Sequence, residues 1–308
     1  MKVVHFMPPF SGGIASAVMA LMQVPGLTHA TPDEPSHTTD ATHVHCHHAL
    51  RWPEALALAR RLGVPAIKTL HILQARQSRM RGLPPTSPTR SESLQLKAIR
   101  EADHLTIATH AAKAMLLEDH PDLDPARVVV VPLGPTLPIL PRPPVHAPSP
   151  VVAVTRFDQL KGTDLLIDVV TEALASTDLR FVIAGGLPDN PRAEARWRAA
   201  FPTDPRVTFA GWLAPLELAA LYASARAFVT TSRLETCGIA LMEAVAAGVP
   251  AVATDLAVHR EVAPGATFVA PTAAAFVHAL GHLPEPSAPA PARPAPAQSW
   301  LSFWRQTR

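Results

Sequence analysis

Residues 227–255 read AFVTTSRLETCGIALMEAVAAGVPAVATD and contain two short apolar runs on either side of a loop and a helix-forming segment. The runs Ala227–Thr230 and Val249–Thr254 have the length and apolar character of buried strands. Between them, Gly238–Ala247 predicts a helix that opens at a glycine. A strand, a helix and a second strand in this order predict a parallel βαβ unit.

The same alternation continues through the rest of the chain. In its middle part, predicted strands lie at Val151–Thr155, Arg180–Ala184 and Val207–Ala210, with helices at Leu165–Ala175 and Pro215–Ala223. In its first part, the predicted strands are Val3–Met7, Thr42–Cys46, Ala66–Leu70, His104–Ala108 and Val128–Val131. The predicted helices between them are Ile14–Met22, Trp52–Leu62 and Ala111–Leu117. We therefore predict an α/β fold with two Rossmann-like, doubly wound lobes of parallel sheet and a cleft between them, where ligands bind in such folds.

Proline-dense segments indicate where the lobes end, because proline lacks a backbone donor and disfavours helix interiors and central strands. Residues 132–150 hold eight prolines, and residues 284–297 hold six. The predicted organisation is a first lobe at 1–140, a linker at 141–150, a second lobe at 151–283, a Pro/Ala-rich linker at 284–297 and a returning helix at 298–308. The tail carries Trp300, Leu301, Phe303 and Trp304, which should pack on a lobe.

Composition excludes several classes of protein. With 308 residues and 48% hydrophobic side chains, the chain can form sizeable cores and is not a disordered protein. A net charge of +2 does not predict a nucleic-acid binder. Cys46 and Cys237 are the only cysteines, which excludes a disulfide framework and fits a reducing compartment. No apolar run is long enough to span a bilayer, so we expect a cytoplasmic protein.

The loop and helix after the strand at Ala227–Thr230 hold the most informative polar residues. A helix that begins at Gly238 presents unpaired N–H groups, which bind anions and above all phosphates. Glu243 could accept hydrogen bonds from neighbouring hydroxyls of a ribose, and Glu235 could do the same for a sugar. The alternative is that both glutamates are ordinary solvated acids.

A second loop, Arg156–Gly162, follows the strand Val151–Thr155 and carries two cations, Arg156 and Lys161. Both cations could engage a diphosphate, with a solvated basic loop as the alternative. Gly12-Gly13 follows the first predicted strand but lacks a full G-x-G-x-x-G motif.

Three other patterns admit two interpretations each. His43, His45 and His47 alternate as one face of a strand would, which suggests either a metal site or a histidine-rich strand end. Asp122-Leu123-Asp124 fits either a D-x-D metal–diphosphate motif or a turn, and we favour the turn. Residues 74–100 are rich in arginine and fit either a solvated loop or contact with an anionic membrane surface or a phosphorylated acceptor.

In this order, the residues resemble the retaining GT-B glycosyltransferases of family 4, also described as glycosyl transferases group 1. The matching positions are Glu235 and Glu243 for the E-x7-E motif, Gly238-Ile239 with Glu243-Ala244 for the G-[LI]-x-x-x-E-A core, Gly248-Val249-Pro250 for the G-x-P turn, and Arg156 with Lys161-Gly162 for the phosphate-binding pair. Weaker similarity covers Gly12-Gly13, residues 43–71 and residues 102–104, and the tail resembles the returning helix of the family.

The resemblance implies transfer of a sugar from a nucleoside-diphosphate sugar to an acceptor hydroxyl with retained configuration. Arg156 and Lys161, with the amides near Gly238, would stabilise the leaving diphosphate. Glu243 would hold the ribose, Glu235 the transferred sugar and His71 a donor hydroxyl. The other implied nucleotide-binding residues are Thr236, Cys237, Ile239, Gly12 and Gly13.

The resemblance also implies that transfer needs no cofactor and no obligatory metal. The expected partners are the nucleotide-sugar donor and an acceptor that the sequence does not identify (glycan, lipid-linked or small-molecule), with no nucleic acid. Peripheral contact with the inner face of a membrane through residues 74–100 and a partner subunit are further expectations.

Two alternative functions stay open. Ala257-Val258 stands where the family often has Gly-Gly, and the first lobe is short, which would suit a catalytically weak or partner-dependent GT-B subunit that acts as a binding protein. A sugar-nucleotide epimerase would consume the donor without any acceptor.

Overall fold

The computed structural model describes residues 1–6, 28–31, 40–84, 86–142, 149–187, 189–283 and 296–307. The chain forms two compact units. Unit 1 comprises Met1–Thr136 together with Arg293–Arg308, and unit 2 comprises Leu137–Ala292. Gly12 and Gly13 lie outside the described residues, and so does the predicted helix at 14–22.

A six-stranded parallel sheet forms the centre of unit 1. Its strands are β1 (Lys2–Phe6), β2 (Thr28–Ala30), β3 (His43–Cys46), β4 (Ala66–Thr69), β5 (His104–Ile107) and β6 (Val128–Val130). They lie in the order β2-β1-β3-β4-β5-β6. The helices of the first stretch of this unit are α1 (Trp52–Leu62), α2 (Gln74–Met80), α3 (Arg90–Glu101) and α4 (His110–Asp119).

A second six-stranded parallel sheet forms the centre of unit 2. Its strands are β7 (Val151–Thr155), β8 (Phe181–Gly185), β9 (Val207–Gly211), β10 (Ala227–Thr230), β11 (Ala251–Thr254) and β12 (Thr267–Val269), in the order β12-β11-β10-β7-β8-β9. The helices are α5 (Thr163–Ser176), α6 (Pro191–Ala199), α7 (Pro215–Ser224), α8 (Ile239–Ala246), α9 (Ala257–Val262) and α10 (Ala273–Gly281). The prediction of two lobes with parallel sheets flanked by helices is therefore confirmed.

The last helix, α11 (Pro296–Gln306), belongs to unit 1. It buries Trp300, Phe303 and Trp304. The ring of Trp300 lies 5.3 Å from that of His45 in β3, and the ring of Phe303 lies 6.1 Å from that of His104 in β5. The predicted apolar stripe of the tail therefore covers one face of the unit 1 sheet.

The other face of the unit 1 sheet carries the apolar core of that unit. Val44 and Cys46 alternate with His43 and His45 along β3, so they point away from α11 and join Trp52 of α1 in a buried cluster. One face of this sheet is thus mainly apolar, with the buried Lys68 of β4 as an exception, whereas the face under α11 is rich in histidine.

Each sheet has one position at which the strand order reverses. In unit 2 this position lies between β7 and β10, and in unit 1 it lies between β1 and β3. Ligands bind in doubly wound folds at the carboxyl ends of the strands next to such a switch point. We therefore expect ligand-binding residues in the segments that follow β1, β3, β7 and β10.

Two local predictions need correction. The predicted strand at 249–254 begins only at Ala251, because Pro250 has no N–H to donate to the ladder. The basic segment 74–100 is largely helical, as α2 and α3, rather than a loop. No helix in the described part of the chain combines the length and apolar character needed to cross a membrane.

Candidate functional site

The switch point of unit 2 brings together the two loops that the sequence singled out. Residues 156–162 connect β7 to α5, and residues 231–238 connect β10 to α8. Because β7 and β10 are hydrogen-bonded neighbours, both loops leave the same edge of the sheet. The predicted residues Arg156, Lys161 and Glu235 therefore lie in adjacent loops.

Thr231 and Gly162 hold these two loops against each other. Thr231 Oγ1 lies 2.9 Å from the Gly162 carbonyl oxygen and 3.2 Å from that of Lys161. Gly162 has a φ of +64°, and a Cβ at this position would lie 2.0 Å from the Thr231 carbonyl oxygen. Only glycine permits both the left-handed backbone and the close approach. Gly162 of the predicted Lys161-Gly162 pair thus sets the distance between the loops.

Arg233 forms a second clamp between the same loops. Its guanidinium donates to both carboxylate oxygens of Asp164, at 2.5 Å and 2.7 Å. Its backbone N–H donates to the Leu160 carbonyl at 2.8 Å. A bidentate Arg–carboxylate pair fixes geometry more tightly than a single contact, so the clamp restricts relative motion of the loops.

Lys161 and Glu235 form an ion pair across the two loops. Lys161 Nζ lies 2.5 Å from Glu235 Oε1, which also accepts a hydrogen bond of 2.9 Å from Ser232 Oγ. Burial on its own would raise the pKa of Glu235, but the charge and hydrogen bond of Lys161 more than offset it and hold this pKa below its ordinary value. Glu235 is therefore ionised at neutral pH.

Arg156 occupies the start of the first loop. Its guanidinium pairs with the Asp158 carboxylate, with Nε 2.7 Å and an Nη 2.5 Å from Oδ2. The side chain is 45% exposed, which leaves much of the fork open to solvent. Arg156 can therefore contact a ligand while Asp158 holds its orientation.

The N-terminus of α8 lies directly after Glu235. Gly238 is its N-cap and has a φ of +67°. The first N–H groups of a helix have no intrahelical partner, so the amides that follow Gly238, beginning with Ile239, can donate to an anion. Thr236 and Cys237 complete the loop between Glu235 and this helix start.

Glu243 lies on α8 and is buried. Its charge, after burial itself, raises the pKa of Tyr222, whose hydroxyl donates a 3.1 Å hydrogen bond to the Ala240 carbonyl. Glu243 thus lies beside a neutral phenol. A carboxylate has two acceptor oxygens, as recognition of a hydroxyl pair requires.

Cys237 is a buried thiol rather than a nucleophile. Burial, followed by the nearby charge of Glu235, raises the pKa of Cys237 to about 12. A thiol needs to lose its proton to attack or to bind a metal. Cys237 is therefore a small apolar side chain in the wall of this site.

His259 of α9 is a site residue that the sequence did not predict. Its ring is fully buried, and its Cδ2 and Nε2 would lie 3.5 Å and 3.9 Å from a Cβ at Gly238. Nδ1 lies 2.8 Å from the Thr254 carbonyl, an acceptor, so Nδ1 carries the proton. A lone histidine within a helical segment has no motif that would have singled it out.

The neutral state of His259 decides what it offers a ligand. Burial lowers the pKa of His259, so the ring is uncharged at neutral pH. With the proton on Nδ1, Nε2 is an acceptor, and no described residue donates to it. His259 Nε2 is thus a buried acceptor nitrogen close to Gly238 and Glu235. It could accept a hydrogen bond from a ligand hydroxyl.

His71, the predicted contact for a donor hydroxyl, lies in unit 1, whereas Lys161 and Glu235 lie in unit 2. Its Nε2 lies 3.1 Å from His47 Nδ1. Burial lowers the pKa of His71 to about 3, with a smaller contribution from the charge of Lys68. His71 is thus one end of a set of interacting imidazoles.

His43 and His45 lie on one face of β3, as their alternation predicts, but His43, His45 and His47 do not form one cluster of three. β3 ends at Cys46, and His47 follows it. His43 contacts Thr42 and Thr307 instead. The side chain that joins His45 and His47 is His5, which pairs with His45 in the register of β1 and β3.

The remaining sequence candidates do not form a second site. Asp124 Oδ1 accepts from the Ala126 amide at 2.9 Å, so the Asp-Leu-Asp stretch forms a turn. Among the cations of 74–100, Arg76 and Arg79 both pair with Asp119 of α4. Part of the positive charge of this segment is therefore neutralised within the unit. Membrane contact through the segment stays a prediction.

The unit 2 site thus combines two chemical abilities in one place. Arg156, Lys161 and the amides after Gly238 can bind a phosphate or diphosphate. Glu235 and His259 can accept hydrogen bonds from hydroxyls. Cys237, whose thiol keeps its proton at neutral pH, is not an activated nucleophile.

Two family models match the chain. The model described as "Glycosyltransferase Family 4" matches residues 34–135, and the model described as "Glycosyl transferases group 1" matches residues 148–285. The second match includes the loop at 156–162, the loop at 231–238 and α8.

The curated relatives are glycosyltransferases by name. The chain is 28% identical over 232 residues to a D-inositol 3-phosphate glycosyltransferase of Corynebacterium efficiens, and this match covers 68% of the chain and 54% of the relative. The corresponding enzyme of Frankia alni is 31% identical over 232 residues, with 68% and 56% covered. The chain thus spans about half the length of the curated relatives it matches.

Solved structures agree on the fold. Anabaena Alr3699/HepE, solved with UDP and glucose, superposes with a TM-score of 0.72 at 13% identity over 91% of this chain and 89% of that one. A sucrose-phosphate synthase from Thermosynechococcus elongatus superposes with a TM-score of 0.67 at 16% identity, over 99% and 94%. Since both family models, the curated relatives and the fold agree, this chain belongs to the family 4 glycosyltransferases with the GT-B fold.

Proposed function

We propose that this protein transfers a sugar from a nucleoside-diphosphate sugar to an acceptor hydroxyl and retains the anomeric configuration. The observation that carries the proposal is the Lys161–Glu235 pair beside the α8 N-terminus. It places a cation and free amides, which suit a diphosphate, next to a carboxylate, which suits sugar hydroxyls. The names of the curated relatives and the UDP and glucose bound to the Anabaena protein support the same chemistry.

In the proposed reaction, the bond between the anomeric carbon and the diphosphate oxygen breaks, and its electron pair leaves with the diphosphate. The acceptor oxygen forms the new bond on the same face of the sugar. Its proton passes to an oxygen of the departing diphosphate. Because negative charge grows on the leaving group, Arg156, Lys161 and the α8 amides stabilise the transition state more than the bound donor.

The acceptor groups of the site hold the donor. We assign Glu243 to the ribose hydroxyls and Glu235 to the hydroxyls of the transferred sugar, with His259 Nε2 as a further acceptor. The role implied for His71, contact with a donor hydroxyl, is tested by His71→Gln, which should lower turnover but leave nucleoside-diphosphate binding unchanged.

We also propose that transfer requires no metal ion. The protein supplies cationic side chains and helix amides at the place where other phosphate-transfer sites use a divalent cation. Protein stripped with EDTA should then turn over at the rate of untreated protein. A rate restored only by Mg²⁺ or Mn²⁺ would contradict this part of the proposal.

The first experiment is thermal unfolding against UDP-, GDP-, ADP- and dTDP-sugars and the free diphosphates. A ligand at about 100 times its Kd adds roughly 2.7 kcal/mol to stability. A selective shift that is lost in Arg156→Ala identifies the donor class. No shift with any nucleotide would instead favour a binding subunit that depends on a partner.

Product analysis follows with the selected donor. The curated relatives make D-inositol 3-phosphate the first acceptor to test, and retention is read from the anomeric proton of the product. Conversion of the donor to an epimer without any acceptor would identify an epimerase instead.

A further inference from the structure

Three buried histidines of unit 1 converge at the switch point between β1 and β3. His5 and His45 are register partners in these strands, and His47 follows the end of β3. All three side chains are buried, with at most 3% exposure. One ring nitrogen from each lies within 4.8 Å of one from each of the others.

We propose that His5, His45 and His47 bind one transition-metal ion of the zinc class. These histidines belong to unit 1, whereas Lys161 and Glu235 belong to unit 2, and the proposal does not rest on the proposed glycosyl transfer. Imidazole nitrogens suit zinc, cobalt, nickel and copper, whereas magnesium and calcium prefer oxygen ligands.

The outward-facing nitrogen of each histidine already has a partner. His5 Nε2 lies 2.9 Å from His29 Nδ1, and His47 Nδ1 lies 3.1 Å from His71 Nε2. His45 Nε2 lies 2.6 Å from Thr69 Oγ1. Metal-binding histidines characteristically direct their second ring nitrogen to such a partner, which fixes the ring orientation.

The remaining nitrogens are His5 Nδ1, His47 Nε2 and His45 Nδ1. The first two are 3.1 Å apart, close to the separation of about 3.3 Å between two nitrogens on a tetrahedral zinc ion with bonds of about 2.0 Å. His45 Nδ1 is buried, and no described residue pairs with it. Small rotations of the rings can close the remaining separation, because the terminal torsion of histidine is broad.

A hydrogen-bonded set of histidines accounts for these observations less well. In the absence of an ion, His5 and His47 can share one proton, but no described residue satisfies His45 Nδ1. A buried polar atom without a partner destabilises the fold. A bound metal ion would be coordinated by all three nitrogens.

Lys68 should weaken the site without abolishing it. Its fully buried ammonium donates hydrogen bonds to the Cys46 and Thr69 carbonyls. It also lies near enough for its charge to disfavour a positive charge at His45 and His47. A positive charge nearby disfavours a cation, and no carboxylate is among the three ligands. Lys68→Met should therefore bind the ion more tightly than the unchanged protein.

The test is a Co²⁺ titration of chain without a polyhistidine tag, after stripping with EDTA. His278 and His282 form an exposed pair on and after α10 that can hold a surface ion, so every variant carries His278→Gln. We expect one Co²⁺ per chain with the intense visible absorption of tetrahedral cobalt, displaced by Zn²⁺. His47→Gln should lower the affinity by more than about tenfold.

His43→Gln is the matched control, because His43 is buried in the same strand but contacts Thr42 and Thr307. It should keep the affinity of the parent. If His47→Gln does not fold, Thr69→Val replaces it and should weaken binding by about tenfold through loss of the His45 partner. The absence of a cobalt spectrum in folded parent protein, or equal loss in His43→Gln and the test variant, would overturn the proposal.

Discussion

Lys161 Nζ donates a hydrogen bond of 2.5 Å to Glu235 Oε1, so the Glu235 carboxylate neutralises the charge of this lysine in the unit 2 site. A diphosphate that enters must compete with Glu235 for this ammonium. The pair therefore links phosphate binding to the freedom of the Glu235 carboxylate. Substitutions of the two residues should have opposite effects on binding.

Lys161→Ala should weaken binding of the nucleoside diphosphate selected by the thermal panel by roughly tenfold, or about 1.4 kcal/mol. Glu235→Gln should bind the same diphosphate at least as tightly as the parent, because Lys161 loses its competing anion. Both variants should lose most of their turnover. Isothermal titration with the free diphosphate measures the difference, and equal weakening in both variants would refute the linkage.

The lowered pKa of Glu235 predicts how its contribution to stability depends on pH. A carboxyl with a folded pKa below its ordinary value of 4.5 stabilises the fold fully above that value. The contribution disappears as the pH falls through the folded pKa. The difference in the free energy of unfolding between parent and Glu235→Gln should be constant from pH 6 to pH 8 and shrink below about pH 4.5. Urea titrations across this range test it, and a difference that grows in acid would reverse the assignment.

Gly162→Ala should destabilise unit 2 by about 3 kcal/mol or more, because a Cβ there would lie 2.0 Å from the Thr231 carbonyl oxygen. Gly211→Ala is the control. Gly211 also has a φ of +67°, but nothing lies within 4 Å of its Cβ position, so only the backbone cost of about 1 kcal/mol remains. Denaturant unfolding of the two variants compares them directly. Similar losses would mean that the loops move apart without cost.

His259→Leu should weaken binding of the sugar nucleotide more than binding of the free nucleoside diphosphate. The variant removes the Nε2 acceptor, which we assign to a sugar hydroxyl rather than to phosphate. His282→Gln, an exposed histidine of the same unit, should change neither affinity. Paired titrations with donor and diphosphate provide the measurement, and an equal loss for both ligands would place His259 in a purely structural role.

Trp304→Ala should destabilise unit 1 by about 3–5 kcal/mol, because a fully buried indole leaves a large cavity. Trp212→Ala, in which the indole is 55% exposed, should change stability by no more than about 0.5 kcal/mol. Hydrogen exchange followed by mass spectrometry can report each unit separately. Protection lost in β1 and β3 of Trp304→Ala would locate the effect under α11, whereas unchanged protection would contradict it.

The regular parts of the fold follow from patterns within the sequence. The apolar run Val151–Thr155 and the glycine that opens α8 are local signals, and the structure places the strand and helix there. The loops with Lys161 and Glu235 were also predictable, because residues that follow adjacent parallel strands leave the same edge of a sheet.

The features that were missed depend on contacts between distant residues. His5 and His45 become neighbours only through the register of β1 and β3, which no spacing in the sequence encodes. His259 reaches Gly238 because α9 packs beside α8, and an isolated histidine gives no signal of that contact. The Lys161–Glu235 pair likewise depends on the Gly162–Thr231 contact that sets the loop spacing.

The position of α11 has a consequence for the order in which the protein matures on the ribosome. Unit 1 needs α11 to cover its histidine-rich face, yet the ribosome synthesises all of Leu137–Ala292 before that helix. At about 5–20 residues per second, this delay lasts roughly eight to thirty seconds. During that interval, nascent unit 1 presents His5, His45 and His47 uncovered. The emerging chain therefore exposes this face to chaperones until Trp300 and Trp304 dock.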